Sequence, residues 1–187
     1  MSEEKLDQRV RLTRRLLKNA LLTLMREQHI SKISIRSLCE VAGINRGTFY
    51  SHYSDQYDLL RQLEQEVIDN LKRYLGNQSY QDNDPVSAQI LTSILEYVRE
   101  NAELFKALLS ENCDVAFQQD IMELTHIISF SPQPEVDAKT LEYITLYGIS
   151  GCITMLQKWL QDGMVKSPVE MTTLIMQVLY RGVISFE

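Results

Sequence analysis

An all-α fold is what this sequence predicts, and three observations carry that prediction. Apolar residues recur at three- and four-residue spacing along most of the chain. No stretch alternates between polar and apolar as a half-buried strand does. The breaks between periodic stretches fall at Gly43, Gly76–Pro85, Pro132, Pro134, Gly163 and Pro168, residues that end helices rather than continue them.

Leu12, Leu16, Leu17, Ala20, Leu21 and Leu24 form a broad apolar stripe and predict a first helix over roughly residues 7–28. Ser34 reads as an N-cap, followed by Ile35, Leu38 and Val41, which gives a short second helix ended by Gly43 as its C′ residue. Only Ile44 then separates Gly43 from Asn45, a second N-cap, which opens a third helix reaching His52 or Tyr53. After Ser54 and Asp55 a long helix carries Leu59, Leu60, Leu63, Val67 and Leu71 on one face and runs to about Leu75. Residues 76–85 (GNQSYQDNDP) form the clearest loop, and its Asn77-Gln78-Ser79 sequon is accidental in a cytosolic protein. Five further helices are predicted at about 86–100, 102–112, 114–129, 136–162 and 168–183.

Composition fits a soluble globular protein, with 44% hydrophobic and 24% charged residues in 187. The charged start, from Met1 to Arg15, has no apolar signal-peptide core. The longest charge-free apolar run, Tyr143 to Gln157, is too short to span a bilayer and is bracketed by Glu142 and Lys158. A cytoplasmic protein with no membrane partner is therefore expected. Cys39, Cys113 and Cys152 are far apart and predict reduced thiols, not a disulfide or a metal site. Net charge is −6 but unevenly spread. Residues 1–54 hold ten Lys and Arg against five Asp and Glu, a local +5, while residues 55–187 hold nine against twenty, a local −11. A basic head on an acidic body suits a nucleic-acid partner.

The two short helices joined by Ala42-Gly43-Ile44 outline a helix-turn-helix. Its third helix presents Phe49 and Tyr53 inward, four residues apart, and Arg46, Gly47 and Tyr50 outward. Laid in the major groove, such a helix meets base edges with its N-terminal residues. Gly47 costs about 1 kcal/mol of helix propensity against Ala, which close approach of the backbone to DNA would justify.

The run from Ile33 to Tyr53 (ISIRSLCEVAGINRGTFYSHY) resembles the N-terminal domain of the TetR/AcrR family of transcriptional regulators almost position for position. Thr13 to Leu21 is similar to that family's first helix, and the resemblance covers roughly residues 9–63. It implies a three-helix DNA-binding domain over residues 1–54 and a helical ligand-binding and dimerisation domain over 55–187, connected by the helix at about 55–75. Carried over by position, the Ser34 and Thr48 hydroxyls, the Tyr50 phenol and His52 would bond phosphate oxygens. Asn45 and Arg46, with Gly47 beside them, would read bases, since Arg grips guanine through two bonds. Arg36 and Arg14 would add phosphate contacts that position the domain. Gln56 departs from the pattern, because many members carry Lys at the start of the fourth helix.

The remainder resembles one branch of the family through Lys158-Trp159-Leu160-Gln161-Asp162-Gly163-Met164 and Ser167-Pro168-Val169-Glu170-Met171. Gly148, Gly151 and Cys152 make a shallow strip at helical spacing, and with Met155 and Trp159 they are the expected dimer interface. Tyr97, Phe105, Phe117, Met122, Tyr143 and Tyr147 are the expected lining of a ligand pocket. His126 beside Glu123 reads as structural. No nucleophile–base pair, phosphate-cradling glycine loop or metal-ligand spacing points to an enzyme, a cofactor or a metal. The sequence thus predicts a repressor that binds a palindromic operator in double-stranded DNA as a homodimer and is released by a small-molecule inducer. The alternative is an interaction protein on the same fold that no longer reads DNA.

Overall fold

The computed structural model describes residues 3–76, 88–110, 112–113, 117, 121 and 137–181. Among them all regular structure is helical: α1 (Glu3–Met25), a 3₁₀ turn (Ile30–Lys32), α2 (Ile35–Ala42), α3 (Arg46–Tyr50), α4 (Gln56–Gly76), α5 (Ala88–Glu100), α6 (Ala102–Leu108), α7 (Ala138–Gln161) and α8 (Pro168–Arg181). No described helix is long and apolar enough to cross a membrane. The predicted 114–129 helix, the Asn77 sequon, His126 and Met122 lie outside the described residues.

The chain divides into two compact units, one of residues 1–67 with 107–117 and the other of residues 68–106 with 118–187. The first crossing falls inside α4, the helix expected to connect the two domains. Leu59, Leu60, Leu63 and Val67, on the part of α4 that belongs to the first unit, are all buried.

In the first unit α1 packs against α2, and α2 against α3. Leu17, Leu21, Met25, Ile30, Ile33, Leu38 and Phe49 are each no more than 2% exposed. Each such side chain contributes about 1.5–3 kcal/mol of hydrophobic stabilisation when fully buried. The 3₁₀ turn was not anticipated from the sequence. His29 caps it, with Nδ1 accepting the Ser31 N–H at 3.2 Å. At its other end the Ile33 N–H donates to the Ile30 carbonyl at 3.1 Å. That turn drives Ile30 and Ile33, three apart, into the core.

In the second unit α5 packs against α8, and α7 against α8. Ile90, Leu95 and Val98 of α5 and Met171 and Ile175 of α8 are buried. Thr172, only 3% exposed, shares a hydroxyl–hydroxyl bond of 2.9 Å with Thr92. The α7–α8 turn is closed at both ends. Gly163 (φ 76) and Met164 (φ 58) adopt left-handed backbone, and the Met164 N–H donates to the Trp159 carbonyl at 2.8 Å. Ser167 and Glu170 then form a capping box: the Ser167 N–H donates to Glu170 Oε2 at 2.7 Å and the Glu170 N–H to Ser167 Oγ at 3.3 Å. Trp159 is buried, and its indole N–H donates to the Lys166 carbonyl at 2.9 Å across this turn.

Candidate nucleic-acid interface

The helix-turn-helix is assembled by its caps. Ser34 accepts the Ser37 N–H on its Oγ at 3.0 Å, and Ser37 Oγ accepts the Ser34 N–H at 3.2 Å, so α2 starts at a reciprocal box. At its far end Gly43 (φ 68, ψ 31) takes the left-handed conformation. Its N–H reaches the Glu40 carbonyl at 3.3 Å, and the Ile44 N–H reaches Cys39 at 3.1 Å. These two bonds make a Schellman motif, and they fix the angle at which the chain leaves α2. Asn45 then caps α3 by accepting the Thr48 N–H on Oδ1 at 2.8 Å.

The inward and outward assignments of α3 match its burial. Phe49 is fully buried and Tyr53 is 2% exposed, with ring centroids 5.9 Å apart. Tyr50 is 58% exposed and stands edge-on to Phe49, while Arg46, Gly47 and Asn45 are exposed and His52 and Thr48 are half-buried. Arg46 has no ion-pair partner among the described residues. Burial pushes the Cys39 thiol up, and the Arg46 charge opposes that rise. Arg14 is exposed on α1, and its charge opposes the burial that raises the Tyr53 phenol.

Several expected phosphate donors are already engaged within the chain. Thr48 Oγ1 bonds Asn45 Oδ1 at 3.1 Å, and Ser34 Oγ bonds Ser37 Oγ at 3.1 Å, so both hydroxyls serve caps. Arg36 gives its Nε to Glu40 Oε1 at 2.8 Å, four residues on, in an exposed pair. So exposed a pair adds little to stability and leaves the terminal nitrogens for an anion. Gly47 has an internal reason to be small as well. A Cβ there would lie 3.3 Å from the capping Asn45 Oδ1. Gln56 opens α4 directly after Asp55, whose Oδ1 accepts the Asp58 N–H at 2.7 Å.

Residues 86–181 match the family model described as the transcriptional regulator C-terminal region of the TetR type, which covers half of the chain. This chain belongs to the TetR family of transcriptional regulators. The HTH-type transcriptional regulator YxbF of Bacillus subtilis is 26% identical over 129 residues, 62% of this chain and 33% of that protein. The HTH-type transcriptional regulator AcrR of Shigella flexneri is 25% identical over 124 residues, 64% of this chain and 58% of that protein. The chain thus spans a third to under two thirds of these relatives' length. Among solved structures, a TetR regulator from Streptococcus agalactiae superposes with TM-score 0.66 at 19% identity, over 95% of this chain and 99% of that one. NalD, the secondary repressor of the MexAB-OprM multidrug efflux pump in Pseudomonas aeruginosa, gives TM-score 0.60 at 20% identity over 91% and 96% of the two chains. At such identity the superpositions show the fold.

Of the residues expected to line a pocket in this TetR-family chain, two are in direct contact. Tyr97 and Phe105 meet edge to face at 5.6 Å in the second unit, with Asn70 Nδ2 donating to the Tyr97 hydroxyl at 2.9 Å. Tyr74 joins them, 5.7 Å from Tyr97, and the sequence reading missed it. Phe117 is fully buried but belongs to the first unit. Tyr143 and Tyr147 are 62% and 74% exposed and share an outward face of α7 with Ile144 and Leu146. Four-residue spacing sets Tyr143 and Tyr147 on one face but cannot say whether that face looks inward. Of the expected interface strip, Gly151 is exposed with nothing within 4 Å of an added Cβ, while Gly148 is buried and Cys152 and Met155 are half-buried. Trp159 is buried within its own chain, sealing the α7–α8 turn.

Proposed function

We propose that this protein is a DNA-binding transcriptional regulator that reads a palindromic operator as a homodimer and represses by occupying it. The observation that carries the reading is the two-sidedness of α3. A five-residue helix buries Phe49 completely and holds Arg46 and Tyr50 out, on a turn locked by a left-handed glycine and two capping side chains. A short helix fixed so rigidly presents a reading surface at little conformational cost. Dimerisation is supported by the outward apolar face of α7, where Tyr143, Ile144, Leu146 and Tyr147 are each at least 48% exposed. Gly151 leaves room for close approach of a second helix on the same element. A small-molecule inducer acting on the second unit, where Tyr74, Tyr97 and Phe105 cluster, completes the proposal. NalD is a repressor by its name, and a reporter gene reads the sign of regulation for this chain.

The test is an anisotropy titration on a labelled duplex from upstream of the gene, or on one recovered by random-sequence selection. Arg46→Ala and Tyr50→Ala should each weaken binding about tenfold or more, as loss of a specific base or phosphate contact does. Selection that enriches no sequence would overturn DNA reading and favour a protein partner.

A further inference from the structure

We propose that Asn112, far along the chain from the helix-turn-helix, is a positioning residue of the DNA-reading head. The inference rests on the DNA-binding role proposed for α3. The chain leaves the first unit after Val67 and returns to it at Ala107, so that residues 107–117 are part of the head. Within this return, Asn112 makes two bonds that bracket the exit from α1. Its Nδ2 donates to the Met25 carbonyl at 2.9 Å, across 87 positions of sequence. Its own carbonyl accepts the Ile30 N–H at 3.1 Å.

Both partners need an outside bond. Met25 is the last residue of α1, where carbonyls have no intrahelical donor, and Ile30 opens the 3₁₀ turn, where the N–H has no acceptor within the turn. One residue therefore ties the end of one helix to the start of the turn that leads into α2. Asn112 is itself held on both sides. Its N–H donates to Ser110 Oγ at 3.2 Å, and the Cys113 thiol donates to Glu64 Oε1 of α4 at 3.6 Å, where both residues are buried. The clamp sets the angle between α1, which carries Arg14, and the α2–α3 pair, which carries Arg46. Phosphate contacts from the one and base contacts from the other must be presented together.

The experiment compares wild type, Asn112→Ala and Asn112→Asp in the full chain, well below each melting temperature, on the duplex that wild type binds. With the clamp loosened, α1 and α3 no longer engage the duplex together, so affinity for Asn112→Ala should fall about five- to tenfold. The log–log salt slope should become shallower, because fewer phosphates are met at once. Asp has the shape of Asn but aims a carboxylate at the Met25 carbonyl, so Asn112→Asp should bind worse than Asn112→Ala. A packing role alone would give the opposite order and an unchanged slope. Should either variant fail to fold, Ser110→Ala, which frees the Asn112 N–H, is expected to give a smaller loss of the same kind. Amide exchange at Ile30 provides a readout independent of DNA: faster exchange in the variants supports the clamp. Wild-type affinity, slope and Ile30 exchange in all variants would overturn it. Wild type that binds no selected duplex would defeat the DNA reading alone, and Ile30 exchange would still decide the positioning claim.

Discussion

Gly43 is the residue on which the reading head turns. At φ 68 with nothing within 4 Å of an added Cβ, its need for glycine is conformational and owes nothing to crowding. Gly43→Ala should therefore cost about 1–2 kcal/mol, the price of a side chain in left-handed backbone, and Gly43→Asn clearly less. Urea unfolding of the two variants checks the order. Cys152 supplies a second residue-scale expectation. Burial pushes its thiol up to about 11, so at neutral pH only about one molecule in ten thousand carries the thiolate. Native Cys152 should react with iodoacetamide far more slowly than the same residue in urea, and a native rate equal to the unfolded one would contradict its placement. At this scale much was legible in the sequence. Ser34, Gly43 and Asn45 were read as caps and stop because each acts on neighbours within four residues. The engagement of the Thr48 hydroxyl with Asn45 was not, because such a side chain serves a cap or a phosphate equally well.

At the scale of the element, helix starts dominate. Asp58 accepts the Ser54 N–H at 2.8 Å, and that bond, with one from Gln62, holds its carboxyl below the usual range. Glu170 is lowered likewise by the Ser167 hydroxyl and N–H. A carboxyl depressed in the fold stabilises it above the unfolded value, near pH 4, and that stability is lost as pH falls through the folded value. Asp58→Asn and Glu170→Gln should flatten the decline in stability below about pH 4 while leaving its shape at pH 7–9 unchanged. Melting temperatures taken across that range measure both effects. Helix identity was legible from apolar periodicity, and edges less so. The helix predicted over 102–112 ends at Leu108, where Ser110 Oγ donates back to the Ala107 carbonyl and turns the chain. The 3₁₀ turn at Ile30 went unseen because three residues carry no period.

For the whole molecule, the decisive contacts join distant stretches of sequence. Asn112 to Met25 and Cys113 to Glu64 span 87 and 49 positions, and no local pattern announces them. A 1–54 fragment, the domain that the family resemblance suggests, lacks Leu59, Leu60, Leu63, Leu108 and Phe117, all of them buried. It should show neither a cooperative thermal transition nor dispersed amide resonances. A fragment carried to residue 117 should recover both. The uneven charge of the chain adds a further expectation: DNA affinity should fall steeply with salt, with a log–log slope near −0.9 for each phosphate neutralised. A flat response would place binding on apolar contacts.

The returning segment also bears on how such a protein acquires a new operator. Recombination that exchanges one continuous stretch at the N-terminus would bring in a foreign α1–α3 while leaving the old Asn112, Cys113 and Phe117 to fill it. Heads and bodies built this way do not trade as cassettes, because the seam runs through three places in the gene rather than one. On the DNA-reading role proposed for α3, changes of specificity are then more accessible through its outward residues, Arg46 and Tyr50.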